Sequence, residues 1–387
     1  MKAEVRPDDG FRYYAYALLY VDDILVIHHN AEICLNELDR LFKMKANSIG
    51  DPDFYLGAKL KPLVLPNDVT AWGMSSSKYI QAAVKIVKDH HAKMFPGHGW
   101  IRRANAPLSS GYNPDLDVTK ELEPEHASFY QSQIGVLRWM VEIGRVDILT
   151  DVSVLSSCLV WPQEGHLDAV FHMFAHLEHR HNARLVFDPS YSVIDMSVFK
   201  DCDWKHFYGD VKEAIPPNAP LPRGKEVDIR LFCDSDHAGD TKYRRSRSGY
   251  LIYIHSALVV WYSKRQPTIE TSVFGAEFVA MKQGMEALQG LRYKLRMMGV
   301  PISGPSFIYG DNMSVIHNTQ RPESVLKKKS NSICYHAIRE AVAMGECLTG
   351  HVCSENNPAD ICTKLMYAGQ KRDHLVGLIL WDIVDHA

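Results

Sequence analysis

The stretch VDIRLFCDSDHAGD, Val227 to Asp240, alternates: Val227, Ile229, Leu231 and Cys233 fall on one face, Asp228, Arg230, Phe232 and Asp234 on the other. A period of two predicts a β-strand with Asp234 at its end. Within SGYLIYIHSALVVWYSKRQ (Ser248 to Gln266), two further apolar runs flank a short turn at His255-Ser256, which makes an antiparallel meander with the first strand. The period then changes. In TSVFGAEFVAMKQGMEALQGLRYKLRMMG, Phe278, Met281, Met285, Leu288, Leu291 and Leu295 form one stripe of a helix closed by Gly299 and Pro301, with Glu277 in its first turns. SFIYGDN reads as a short buried strand ending in Asp311, followed by a helix. KKKSNSICYHAIREAVAMGE gives another amphipathic helix and CLTGHVCS another strand. In NNPADICTK, Asn357 is placed to cap a last helix with Pro358 at its first position, which puts Asp360 at the third. Four isolated carboxylates, Asp234, Glu277, Asp311 and Asp360, therefore fall at strand ends or helix starts.

With 387 residues, 46% of them hydrophobic, the chain can bury a large core and is long enough for two or three domains. The net charge of -3 excludes a global basic field of the kind that announces nucleic acid. Local basic clusters remain: Arg102-Arg103, KYRRSR (Lys242 to Arg247) and LKKKSN (Leu326 to Asn331). The eight cysteines form no CxxC pair, which argues against a zinc ribbon and fits a reducing compartment. No apolar stretch reaches membrane-spanning length and the N-terminus lacks a signal-peptide pattern, so an intracellular protein without a membrane partner is expected. The Pro-rich VKEAIPPNAPLPRGKEV reads as a linker and WIRRANAPLSSGYNPDLD as a loop. These set three units: 1–110, a mostly helical 111–224, and 225–387. The helical stretch GHLDAVFHMFAHLEHRHNA carries His172 and His176 one turn apart. That spacing can hold a metal, but without the Glu of an HExxH site a solvated or nucleic-acid-facing helix is the preferred reading.

Near the N-terminus, ALLYVDDILVIHH sets Asp22 and Asp23 between two aliphatic runs. The β-branched content predicts a hairpin with the acids at its tip and its flanks buried. Adjacent carboxylates repel; water at an ordinary turn or a hard divalent cation would relieve them.

The motifs DSDHAGD, RRSRSGY, WYSKRQPTI, GAEFVAM, YGDN, YHAIRE and NPADICTK, in that order, resemble the ribonuclease H domain of copia-like retrotransposon polyproteins. YVDD resembles the palm hairpin of reverse transcriptases, and NAEICLNELDRLFKM and DFYLGAKLKPL resemble the elements that follow it. YQSQIGVLRWM and RVDI are similar to the connecting region of these polyproteins. The resemblance implies an α/β chain made of an α+β palm-like unit, a helical connection and a ribonuclease H-like mixed sheet with helices. It makes Asp234, Glu277, Asp311 and Asp360 the ligands of two Mg2+, with Mn2+ a substitute, that hydrolyse the RNA strand of RNA–DNA hybrids. It also makes Asp22 and Asp23 polymerase metal ligands. The third palm carboxylate has no counterpart in the nineteen residues before Tyr20, since RPDDG follows no hydrophobic strand, so the palm is expected to be truncated and polymerase activity lost or dependent on upstream sequence. Arg244, Arg245, Arg247, Lys327, Lys328 and Lys329 would contact phosphates. Other polyprotein parts would be partners, and the cytoplasm or virus-like particles the location. The departures are His237 in place of Trp and Gly275 in place of an acid; neither removes a ligand. Asp236 and Asp240 are read as surface acids. An inactive element remnant that only binds nucleic acid is the alternative, and a His172/His176 metalloprotein the third reading.

Overall fold

The structure is a computed structural model and describes residues 1–21, 23–45 and 48–382. Three antiparallel strands, β1 (Lys2–Val5), β2 (Arg12–Tyr20) and β3 (Asp23–Ile27), open the chain, with Tyr20 paired to Asp23 at the hairpin end. Helix α1 (Ala31–Leu41) follows and buries no side chain. The expected burial of the hairpin flanks is not found: Leu19 is 71% and Val21 83% exposed. Burial in this sheet is confined to Tyr14 and Ala15. There the Tyr14 hydroxyl donates to the carbonyl of Leu221 (2.9 Å) and the Tyr16 hydroxyl to that of Met298 (2.7 Å). The apolar alternation forms the hairpin, but among the described residues no element covers its far end. Asp22 lies outside the described residues.

A second sheet contains β4 (Phe54–Tyr55), β5 (Ala58–Val64) and β6 (Thr70–Ser75), and α2 (Ser77–Met94) follows it. Helices α3 (Pro124–Glu142), α4 (Leu149–Leu155) and α5 (Glu164–His179) lead to β7 (Arg184–Phe187), which pairs with β6. Ile80 and Val87 of α2 share a core with Tyr130, Ile134 and Leu137 of α3 and Phe174 of α5. The helical run from α3 to α4 is broken at Gly144, whose φ of 103° favours glycine. A Cβ there would also approach the Met74 side chain at 3.3 Å. Just past the break, Arg145 donates Nε and Nη2 to the two oxygens of buried Asp147, each at 2.7 Å.

The histidines of α5 pair with a loop. His166 Nε2 pairs with the carbonyl of Pro114 (2.9 Å), His172 Nδ1 with Ser109 Oγ (3.1 Å), His176 Nδ1 with the carbonyl of Ala104 (3.0 Å) and His179 Nε2 with that of Arg102 (2.6 Å). They tie the 102–114 loop along the helix; His176 is buried there, against the reading of a solvated helix face, while His172 is half-buried.

After the short α6 (Lys205–Tyr208) come β8 (Ile229–Asp236), β9 (Arg247–Ile254), β10 (Ala257–Arg265), α7 (Val273–Met297), β11 (Ser306–Gly310), α8 (Met313–Gln320), α9 (Ser332–Ala343), β12 (Cys347–His351) and α10 (Gln370–Gly377). The sheet order is β10-β9-β8-β11-β12. The first three strands are antiparallel neighbours and β8, β11 and β12 are parallel, the mixed sheet that the motifs implied. Leu231, Ile252 and Ile308 pack against Phe278, Met281 and Ile338 on one face. On the other face Leu251, Tyr253 and Leu258 meet Val146, Leu185, Ile361 and Val376, so the helical unit and the C-terminal segment close the sheet from behind. The helix expected at NPADICTK is a single 3-10 turn, Pro358–Cys362. The fold is α/β, and no helix among the described residues is long and apolar enough to cross a membrane.

Arg372 of α10 donates to the backbone carbonyl of Asp147 (3.1 Å), with its guanidinium 4.0 Å from the carboxylate. Burial alone would raise the Asp147 carboxyl, but Arg145, His176 and Arg372 outweigh it and hold the group well below the usual range. Neutralising the acid would strand two buried guanidinium groups. Asp147→Asn should therefore cost about 3–5 kcal/mol in urea unfolding followed by tryptophan fluorescence; a loss under about 1 kcal/mol would show that the network carries no weight.

Burial also depresses His176, from the ordinary 6.5 to about 4. The unfolded chain takes up that proton and the folded chain does not, so stability present above about pH 6.5 is lost as pH falls towards 4. The contribution is on the order of 3 kcal/mol, and His176→Asn should flatten the plot of unfolding free energy against pH across that window. An unchanged slope would assign the acid sensitivity to other groups.

Candidate metal centre

Parallel pairing places the acids. Tyr309 on β11 is level with Phe232 on β8, and continuing that register by two residues sets Asp311 beside Asp234. Gly310 lets β11 close on α7, since a Cβ there would meet the Met281 methyl at 3.0 Å. Asp360 arrives on the 3-10 turn. Asn357 holds that turn by accepting from the Ala359 amide (3.2 Å) and donating Nδ2 to the carbonyl of Cys233 (3.0 Å), the residue before Asp234. Gly249, paired with Asp234 on β9, leaves the space the turn fills: a Cβ there would lie 2.5 Å from the Cys362 Cβ and 3.0 Å from its backbone. Glu277 is fixed by α7, whose start is capped by Ser272 Oγ accepting from the Gly275 amide (3.2 Å).

The result is a cluster of oxygen donors. Carboxylate oxygens of Asp234, Asp311 and Asp360 lie within 4.8 Å of one another. Asp234 and Asp360 are buried and Asp311 is half-buried. Buried Glu277 stands alongside: burial, and then the charges of Asp234 and Asp311, push its carboxyl well above the usual range. Burial raises Asp234 as well, with Asp360 and Asp311 adding to the shift and Lys364 opposing it. Lys364 Nζ bridges Asp360 (2.6 Å) and Asp234 (3.3 Å), and Lys371 Nζ reaches the other Asp360 oxygen (2.6 Å). Thr363 Oγ1 donates to Asp234, and Ser354 Oγ to Asp311 at 2.6 Å. Crowded carboxylates thus face two ammonium groups, and the raised Glu277 and Asp234 carboxyls reflect negative charge the lysines do not fully offset.

Three of the four carboxylates expected as ligands meet here, and Glu277 stands near enough to feel the charges of Asp234 and Asp311. Asp23 does not join them; it is exposed at the start of β3. Asp236 stays outside the three-carboxylate cluster, and Asp240 organises the 241–246 loop, accepting from the Lys242 (3.0 Å) and Tyr243 (2.9 Å) amides and pairing with Arg265. Arg244, Arg245, Lys327 and Lys329 are exposed, and Lys328 is half-buried. Arg247 is not on the solvated loop: it starts β9 and donates to Ser153 Oγ of α4 (2.7 Å). Lys364, Lys371, Thr363 and Ser354 were not identified from sequence. The first could have been, because it stands four residues after Asp360 inside NPADICTK, a reach of one helical turn.

The sheet order and the carboxylate cluster define an α/β unit with a five-stranded mixed sheet that gathers acids at one end. No family model matches the chain. It is 25% identical over 352 residues to the retrovirus-related Pol polyprotein from transposon RE1 of Arabidopsis thaliana, covering 90% of this chain and 20% of that polyprotein. The corresponding polyprotein from transposon TNT 1-94 of Nicotiana tabacum is 24% identical over 360 residues, covering 90% of this chain and 23% of that one. Among solved structures, LC11-RNase H1 in complex with an RNA/DNA hybrid aligns with 35% of this chain and 94% of its own, at 18% identity and a TM-score of 0.29. The chain is thus similar to retrovirus-related Pol polyproteins of transposons and spans about a fifth of their length.

The close approach at Gly249 gives a direct test of how Asp360 is positioned. Gly249→Ala should lower unfolding stability by about 1–3 kcal/mol, because the turn must move to admit the methyl group; an unchanged thermal midpoint would mean that the turn yields freely.

Proposed function

We propose that this chain is the nuclease-bearing part of a retrotransposon polyprotein, hydrolysing the RNA strand of RNA–DNA hybrids with two divalent cations held by Asp234, Glu277, Asp311 and Asp360. The observation that carries the reading is the convergence of three carboxylates, with oxygen donors alone, two from neighbouring parallel strands and one from the 358–362 turn. Such a set suits Mg2+, with Mn2+ as a substitute, and the surplus negative charge calls for a cation. When bound, the ions would activate water and stabilise the charge that develops on the leaving oxygen. The protein's own groups set the stage. Lys364 and Lys371 orient Asp360, Thr363 and Ser354 fix single oxygens of Asp234 and Asp311, and burial keeps bulk water from screening the site. Arg244 and Arg245 after β8, with Lys327, Lys328 and Lys329 before α9, hold backbone phosphates, which makes binding salt-sensitive. Other polyprotein segments are the natural partners. No polymerase step is assigned to the hairpin, of whose two acids Asp23 is exposed at the start of β3 and Asp22 lies outside the described residues.

Asp311→Asn should cut Mg2+-dependent cleavage of a labelled hybrid on the order of 10³-fold and abolish the Mg2+-induced rise in melting temperature, while the fold persists by circular dichroism. Asp236→Asn should cost far less. Full activity in Asp311→Asn would overturn the assignment, and a wild-type chain that binds hybrid without ever cutting it would support the inactive remnant instead.

A further inference from the structure

A groove of about 520 Å³ runs along the seam between α3 and α4 and the strands β9 and β10. Five cationic side chains line it, Arg138, Arg245, Arg247, Lys264 and Arg265, against one carboxylate, Glu142. Arg247 is its deepest charge. Its guanidinium hydrogen-bonds hydroxyls, Ser153 Oγ at 2.7 Å and Ser263 Oγ at 3.3 Å, and burial followed by neighbouring Arg265 lowers its pKa to about 10, with the more distant Asp115, Asp236 and Asp240 opposing the shift. On the opposite wall Arg138 Nε donates to Ser156 Oγ at 2.9 Å, again to a hydroxyl and not an acid. Cationic groups held by neutral hydroxyls beside a like charge gain most from an incoming anion.

The groove sits at the catalytic end of the sheet. Arg247 pairs with Asp236 on one side and Arg265 on the other, and Gly249, two residues along, pairs with Asp234. With strands ~4.8 Å apart and a rise of ~3.4 Å per residue, the Arg247 backbone lies roughly 8 Å from that of Asp234. We propose that this groove binds the sugar–phosphate backbone of the substrate duplex within a few nucleotides of the carboxylate cluster, so that Arg138 of the helical unit and Arg247 and Lys264 of the sheet jointly set the strand's register. The proposal rests on the hybrid-cleavage reading for its ligand, but not for its test.

The test is fluorescence anisotropy of a labelled RNA–DNA hybrid with the full chain in EDTA, where no cleavage can occur, repeated across a salt series. The exposed pair Arg138→Ala/Lys264→Ala should weaken binding on the order of 10-fold and make the slope of log K against log salt shallower by about 1.8, since each lost phosphate contact removes ~0.9. Lys120→Ala, outside the groove, should change neither quantity, and a thermal melt checks the fold of each variant. Duplex DNA should show the same loss, because phosphate contacts do not read base or sugar. Unchanged affinity and slope in the double variant would overturn the groove. Mg2+-dependent cleavage by the wild type separates the two ideas. A chain that binds through the groove but never cuts leaves the groove standing and removes the nuclease, whereas one that cuts while the double variant binds normally removes the groove alone.

Discussion

Like charges crowded into a buried site repel, and the C-terminal unit is arranged around that cost. Asp234, Asp311 and Asp360 are held within 4.8 Å of one another with Glu277 beside them, and two of the trio are shielded from water. What makes the arrangement tolerable is equally local. Lys364 and Lys371 reach Asp360, while Thr363 and Ser354 donate to the other two acids. The glycines at 249 and 310 serve the same end, because each removes a Cβ that would hold apart elements the carboxylates need close. A site assembled from β8, α7, β11 and the 358–362 turn can exist only if all four are packed, so its integrity reports on the whole sheet.

The helical unit is part of that packing. Val146 and Leu185 lie in the same cluster as Leu251, Tyr253 and Ile361, and Arg372 reaches across to Asp147. Severing a buried pair costs more than forming it gains, so such a contact favours one relative placement over many. Thr150 Oγ1 donates to the carbonyl of Ile361 at 2.7 Å, next to Asp360. A residue of the helical unit thereby touches the turn that carries a site carboxylate, and the basic groove is bounded on both sides by parts that cannot drift.

The sequence displayed the parts of this fold whose signal is local. Alternation in VDIRLFCDSD, the stripe from Phe278 to Leu295 and the Asn-Pro start at 357 each encode an element within a few residues, and the motif order then gathered the four acids. What stayed hidden depends on distant partners. Lys371 matters because it meets Asp360, and Arg372 because it meets Asp147, a separation of 225 residues. The histidines of α5 carry metal-like spacing, yet their function is set by carbonyls of a loop some seventy residues earlier, such as Ala104 for His176, 72 residues away. Periodicity also cannot say whether an apolar face finds a cover, which is why the flanks of YVDD read as core and are exposed.

The same helix that carries Glu277 shows how far the anchor of the N-terminal sheet stands from that acid. Tyr16 of β2 bonds the carbonyl of Met298, just past the end of α7, and Gly299 there leaves room for the Tyr14 ring, into which a Cβ would run. Glu277 lies in the early turns of that helix, 21 residues away, and at 1.5 Å per residue this amounts to roughly 30 Å. Over that distance, several times the ~8 Å screening length at physiological salt, the anchor residues Tyr14 and Tyr16 lie beyond electrostatic reach of Glu277. The anchoring of the N-terminal sheet therefore serves to cover the far end of α7, and neither tyrosine contributes to the carboxylate site.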